Sequence, residues 1–342
     1  MKKTDIGGQG VLEGVMMRGP EVCGLAVRKA SGEVVYNRDE FKSATKKHKF
    51  YRLPIIRGLV SFVEMLGYGT KTITQSAKMY DDEAVAEEPS RFEKFLAKKT
   101  GKDVMDIAMV IAVIFAIGLA VGIFFVVPSV LANIVRPYIS SPIVMNLIEG
   151  GIRLVIFVGY ILAVTMVKDI KRVFRYHGAE HKTINAFEHE EELTVKNVQK
   201  HKTLHPRCGT SYLLLVMIIS ILLFSLLGWS PTWYARIGLR LLMLPVVAGV
   251  SYEFLKFAAK GDNLFFRIIR WPGMQLQRLT TGEPDDEMVE VAIVAFTVAL
   301  DEMDEDEMKA FAKQFDHIKE EPKKKEADKE KDSEPAAQDA QA

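Results

Sequence analysis

The chain is short of cysteine, of net charge and of any apolar N-terminal stretch, and each shortage closes off a class of protein. Only Cys23 and Cys208 occur among 342 residues. Two distant cysteines cannot build a disulfide framework and suit a reducing compartment. Lys and Arg number 45 against 44 Asp and Glu, a formal net charge of +1. The chain is therefore no polyelectrolyte, and nucleic acid is not an implied partner. The opening MKKTDIGGQGVLEG contains no apolar core of the kind a cleavable secretory signal needs.

What the chain does have is long apolar runs in its middle, between charged ends. The mean hydropathy of +0.08 averages the two. Residues 104–127 and 212–229 are almost free of charge and show no polar face. A spanning helix needs about twenty such residues, whereas a core helix of a soluble protein keeps one polar side. Residues 143–167 and 237–258 are apolar but carry Glu149 with Arg153, and Arg240 with Glu253. Glu149 and Arg153 are four apart and share a helix face. Either Glu149, Arg240 and Glu253 lie near helix ends and snorkel, or they form a polar seam inside a bundle. The fold class expected is an α-helical polytopic membrane protein with four transmembrane helices and a small β-containing N-terminal cytoplasmic region. The connection 168–211 is rich in Lys and Arg, while the two short connections on the other side offer only Arg136 and Arg236. The positive-inside rule then makes the long loop and both termini cytoplasmic in a bacterial inner membrane.

Outside the bilayer, residues 1–50 read as β-rich, with strands over 22–28 and 33–37 joined at Ser31-Gly32, and a glycine-rich extended segment upstream. Residues 51–103 read as an amphipathic helix over 54–80 and a charged linker. Residues 259–300 hold an interfacial segment anchored by Phe266 and Trp271, then a helix over 283–300 with acids at its start. The charged tail, 301–342, loses nearly all apolar residues from about 318 and is expected to be disordered.

Chemistry concentrates in the 168–211 loop, which holds five of the seven histidines. His177-x-x-Glu180-His181 places two imidazoles one helical turn apart and matches the inverted zinc-peptidase pattern. In that logic the imidazoles bind a divalent metal, zinc by the nature of the donors, and Glu180 acts as general base on metal-bound water. His205 and Cys208, in HPRC just before the third span, are further candidate ligands, and Glu253 or the rival Glu188 could complete the set. Both motifs abut predicted spans on one membrane side. A structural metal with four protein ligands, or a basic loop meeting anionic lipid head groups, are the other readings. His189 and His201 belong to a solvated face. Gly7-Gly8-Gln9 matches the tripeptide of peptidyl-tRNA hydrolysis by chance, since the chain has no strongly basic domain to carry it. The surrounding glycines would instead let Glu13 and Arg18 reach a polar site, or merely frame a turn.

GGQGVLEGVMMRGP, RLPIIRGLVSFVEML, YHGAEHKTI and HPRCGTS, in this order around four spans, closely resemble the bacterial YqhQ family, a membrane family of unknown function described as predicted metal-dependent enzymes. The resemblance runs from near residue 6 to about 300. It implies the membrane architecture and a metal, and supplies no substrate. Its polar motifs fall on Glu13, Arg18, Arg57, Glu64, His177, Glu180, His181, His205, Arg207 and Cys208 without departure. Arg18, Arg57 and Arg207 are candidates to hold an anionic group, since arginine's fork suits carboxylate or phosphate. Two functions follow as expectations. One is a membrane-embedded hydrolase acting on a membrane-proximal or lipid-linked substrate at the cytoplasmic face. The other is a non-enzymatic assembly factor or scaffold, with a structural metal and other membrane proteins as partners. A transport path along Glu149, Arg153 and Glu253 is weakened by four spans and no internal repeat.

Overall fold

The computed structural model describes residues 4, 6–80, 104–206, 208–229, 232–258, 261 and 263–317. Arg207, the expected linker and the tail from 318 lie outside the described residues.

The N-terminal region is a four-stranded antiparallel meander, β1 Gly7–Val11, β2 Gly14–Arg18, β3 Val22–Arg28 and β4 Val34–Glu40, in sequence order across the sheet. The glycine-rich segment read as extended is a hairpin, with Val11 paired to Gly14 and Gly7 to Arg18. Alternation assigns the faces: Val15, Met17 and Ala26 enter one core, and Met16, Leu25 and Val27 another. The central strands are therefore buried on both sides. The second core is closed by Tyr68, Met79 and Tyr80 of a long helix, α2, Ile56–Tyr80. It follows a single helical turn, α1, Ala44–Lys47.

Helix α3, Val104–Val121, runs through a π turn, Gly122–Val126, into α4, Val127–Val135. Pro128 sits at the first turn after the π bulge, where a missing N–H costs little. Then come α5 Pro142–Thr165, α6 Lys168–Glu188, α7 Val195–Gln199, α8 Gly209–Ser225, α9 Trp233–Ala258, α10 Leu264–Thr280, α11 Asp286–Leu300 and α12 Glu305–Lys313. Three helical stretches are long and apolar enough to cross a membrane: Ile111–Tyr138, Pro142–Thr165 and Trp233–Ala258. The fourth expected span, α8, is apolar but has 17 residues, at the short end of what a bilayer needs. Residues 301–317, placed by expectation in the tail, contain α12, which a capping box at Asp304 and Glu307 starts and which Met308 and Ala312 bury.

Glu149 and Arg240 do not snorkel. They are 1% and 3% exposed. Glu149 pairs with Arg153 at 3.1 Å and with Arg240, which also donates to Asn146 Oδ1 at 2.8 Å. Arg153 donates to the Phe124 carbonyl, in the π turn, at 2.7 Å.

Helix α11 is the hub of the other core. Its side chains are buried on every side from Met288 to Ala299 except Glu290, against α6 and the Val15/Met17 face of the sheet. Asp285 caps its start, and at 15 residues it is too short to span a bilayer. Phe296 is fully buried and meets Phe187 with ring centroids 4.9 Å apart. Phe296→Ala is expected to destabilise the protein by about 3–5 kcal/mol, read as a lowered midpoint in denaturant titration. A cost under about 1 kcal/mol would mean that this helix is not the centre of the core.

Candidate functional site

The first half of the loop expected to carry the chemistry is helix α6. The chain breaks at Val167, whose extended backbone separates α5 from α6, and the new helix crosses the sheet beside β1. His177 and His181 lie on its inner face with ring centroids 4.5 Å apart. Each ring is turned by a backbone carbonyl. His177 Nδ1 donates to Thr280 O at 2.9 Å, at the end of α10, and His181 Nδ1 donates to Thr203 O at 2.5 Å. With both Nδ1 atoms carrying the proton, both Nε2 atoms keep their lone pairs. This is how outer partners prepare imidazoles for a metal.

Cys208 arrives from the other side. It is the N-cap of α8, where its sulfur accepts from the Thr210 amide at 3.4 Å. Its Sγ is 3.3 Å from His177 Nε2. Ligand atoms of His177, His181 and Cys208 all lie within 4.8 Å of one another, the one such three-residue group among the described residues. Ligands around a tetrahedral zinc at its usual bond lengths sit about 3.3–3.7 Å apart, so the donors suit that ion in kind, and the Cys208–His177 pair, at 3.3 Å, in spacing. Burial pushes the Cys208 thiol up, against the pull of hydrogen bonds from Thr210 and Ser211. Burial also holds His181 neutral, far below its usual value, helped by the adjacent His177.

Glu180 joins this group from between the imidazoles. Its Oε2 is 3.6 Å from His177 Nε2 and 3.5 Å from His181 Nε2, and it has no hydrogen-bond partner. Burial pushes the carboxyl up to about 8, opposed by His177 and by a hydrogen bond from the Gly8 amide. A buried carboxyl brought near neutrality suits general acid–base work.

The remaining candidates fall elsewhere. His205 is near the group, its ring 5.9 Å from that of His181, but its Nε2 meets Glu188 Oε2 at 3.4 Å. Its backbone is fixed by Gln277, which accepts from His205 N at 3.0 Å and donates to His205 O at 2.8 Å. Neither His205 nor Glu188 shares the three-ligand group. Glu253 is not there either: Arg57 grips it through two nitrogens, joining α2 to α9. Arg18 lies 3.8 Å over the Phe41 ring and 4.0 Å from Glu64, which in turn accepts from Ser43 and the Ala44 amide. Arg172 holds Glu13 through two nitrogens, and Tyr176 donates to Glu13 at 3.2 Å. Arg18 and Arg57 are thus matched to separate carboxylates and do not converge on one anion.

Gly8 and Gly10 were read only as backbone freedom; the structure gives them a specific task. A Cβ on Gly8 would stand 3.1 Å from Glu180 Cγ, and one on Gly10 would stand 2.7 Å from the His177 amide nitrogen. Strand β1 lies directly on the helix that carries the site. The alternation Gly-x-Gly, with Gln9 donating away to Thr72 Oγ1 at 2.9 Å, is the available signal.

Burial brings His205 down to about 4 from 6.5. The sign follows from linkage: the unfolded chain takes up the proton first as pH falls. Stability is therefore intact above about 6.5 and falls as pH drops towards 4, by up to about 3 kcal/mol. His205→Gln is expected to remove that part of the acid sensitivity, measured as denaturation midpoints at several pH values. An unchanged pH profile would refute it.

The chain matches a family described as a protein of unknown function, DUF1385, over residues 53–302. It is 35% identical over 295 residues to the uncharacterized protein YqhQ of Bacillus subtilis (strain 168), covering 86% of this chain and 92% of that protein. No solved structure matches.

Proposed function

The chain belongs to the YqhQ family, DUF1385, and from that premise we propose that it is a membrane-embedded, zinc-dependent hydrolase working at the cytoplasmic face. Four helices span the bilayer: the α3–α4 run, α5, α8 and α9, with both termini cytoplasmic. His177, His181 and Cys208 hold the metal. Glu180 accepts the proton of the attacking water, and the substrate is membrane-proximal or lipid-linked because Cys208 stands at the mouth of a spanning helix. The observation that carries the reading is the pair of imidazoles whose Nδ1 atoms are each tied to a carbonyl, with His177 Nε2 3.3 Å from the Cys208 sulfur and His181 in the same three-residue group.

A second reading, a structural zinc in a scaffold or assembly factor, is favoured by one measurement. Glu180 Oε2 stands as far from the imidazoles as a fourth ligand would, at 3.5 and 3.6 Å. Four protein ligands leave no open position for water. Metal analysis of Glu180→Gln separates the two. Retained zinc with lost cellular function supports the hydrolase, and lost zinc supports the scaffold. Wild-type protein without stoichiometric metal overturns both.

A further inference from the structure

Helix α10 carries an outward apolar stripe. Leu264, Phe265, Ile268 and Trp271 are 73%, 56%, 63% and 61% exposed. At about 100° per residue, Leu264, Ile268 and Trp271 fall within about 60° of one another, and Phe265 widens the stripe. The opposite side is fully engaged. Gly273 backs onto Ser211, Leu276 packs with Phe157, Ile161 and Leu214, and Gln277 donates to Ser211 Oγ at 2.6 Å. A helix on the surface of a soluble domain would show the reverse, polar outward and apolar inward.

We propose that α10 lies in the plane of the cytoplasmic leaflet, with this stripe among the acyl chains and Arg267 and Arg278 at the level of anionic phosphates. It rests on the membrane reading given above. Three observations select lipid as the occupant. The first is continuity: α9, a candidate span, ends at Ala258 with Phe257 still 44% exposed, and the Phe257 ring lies 5.3 Å from that of Phe266. Phe266 lies on the side of α10 away from the stripe, so the end of the span seats the first turn of α10 at its own level and leaves the stripe facing outward. The second is charge. Helix α10, LFFRIIRWPGMQLQRLT, contains no acidic residue, and Arg267 and Arg278 are exposed along one edge of the stripe, which complements anionic head groups. The third is residue type, since tryptophan at the end of such a stripe suits the boundary between chains and head groups.

The consequence reaches the site. The helix in the leaflet ends at Thr280, whose carbonyl orients His177, and it holds the backbone of His205 through Gln277. The candidate metal site is therefore fastened to the bilayer surface by a lipid-bound strut.

The test uses full-length protein in nanodiscs of phosphatidylcholine and phosphatidylglycerol. Trp271 emission is obtained as the difference between wild type and Trp271→Phe, which leaves Trp229 and Trp233 untouched. Bromines placed near the carbonyl ends of the acyl chains are expected to reduce that emission about twofold or more, as for an interfacial tryptophan, while aqueous iodide leaves it unchanged. Quenching by iodide without bromine, or by neither, overturns the proposal. Phe115→Trp, added to Trp271→Phe, reports the span itself, because Phe115 is 71% exposed on α3. If bromines near the chain ends quench it while Trp271 stays unquenched, only the placement of α10 falls. If they do not, the membrane reading falls and takes this one with it.

Discussion

Protein purified without chelator is expected to carry about one equivalent of zinc, and Cys208→Ser to lose it while remaining folded. The variant is chosen for what it keeps. Cys208 caps α8 by accepting from the Thr210 amide, and serine is among the best N-caps. The start of α8 therefore survives the change, and the loss falls on the soft donor alone. Removing an outer partner of a metal ligand costs roughly 10–100-fold in affinity, so removing a ligand from a three-ligand group should exceed that. His181→Ala should also empty the site, but its 1% exposure means that it also opens a cavity, which makes it the weaker test. Metal content by elemental mass spectrometry, with thermal midpoints before and after chelation, reads both effects. Chelation should lower the midpoint of wild type and leave Cys208→Ser where it was, because metal affinity adds to folding stability only where the site is intact. A Cys208→Ser protein that retains stoichiometric zinc would exclude the sulfur from the site.

How much of this was readable beforehand depends on the range of the interaction. The pairing of His177 with His181 follows from one helical turn, and the helix is there. Strand β3 was legible because its ends are marked by turns, and it spans Val22–Arg28 as expected. The short apolar helix at 283–300 was legible through its acidic start, though not its place as the hub of a core, since burial on every side leaves no periodic face to read. Partner choice across the chain was not legible. Glu253 was a reasonable third ligand by position along the chain, but Arg57, 196 positions away, takes both its oxygens. His205 sits three residues from Cys208, yet its ring meets Glu188 instead. The strand β1 was hidden for a different reason. Glycine is depleted in strands because it adds no side chain to the sheet, so a segment with three glycines in five residues reads as extended chain with tight turns and not as a paired strand. Only the approach of helix α6 explains why it must be a strand without side chains.

That approach gives Gly10→Ala a large expected effect. A methyl group at Gly10 would stand 2.7 Å from the His177 amide nitrogen and closer still to the Val173 carbonyl oxygen. Both are main-chain atoms of one helix, so neither can rotate away as a side chain would. Either the strand lifts from the helix or the helix shifts at the residue that carries the first imidazole. Inserting a methyl into a packed interior usually costs about 1–3 kcal/mol, and more where nothing can yield, so a loss near or above about 3 kcal/mol is expected. Metal affinity should fall with it, because moving His177 breaks the alignment between Thr280 O and Nδ1 on which the ring's orientation depends. Gly7→Ala is the control on the same strand, since a Cβ there meets nothing within 4 Å, and it should stay within about 0.5 kcal/mol of wild type. Denaturation midpoints and zinc titrations of the two variants in one membrane mimetic make the comparison. If Gly10→Ala behaves like Gly7→Ala, the strand does not rest on the helix, and the site loses the wall that positions Glu180 and His177 together.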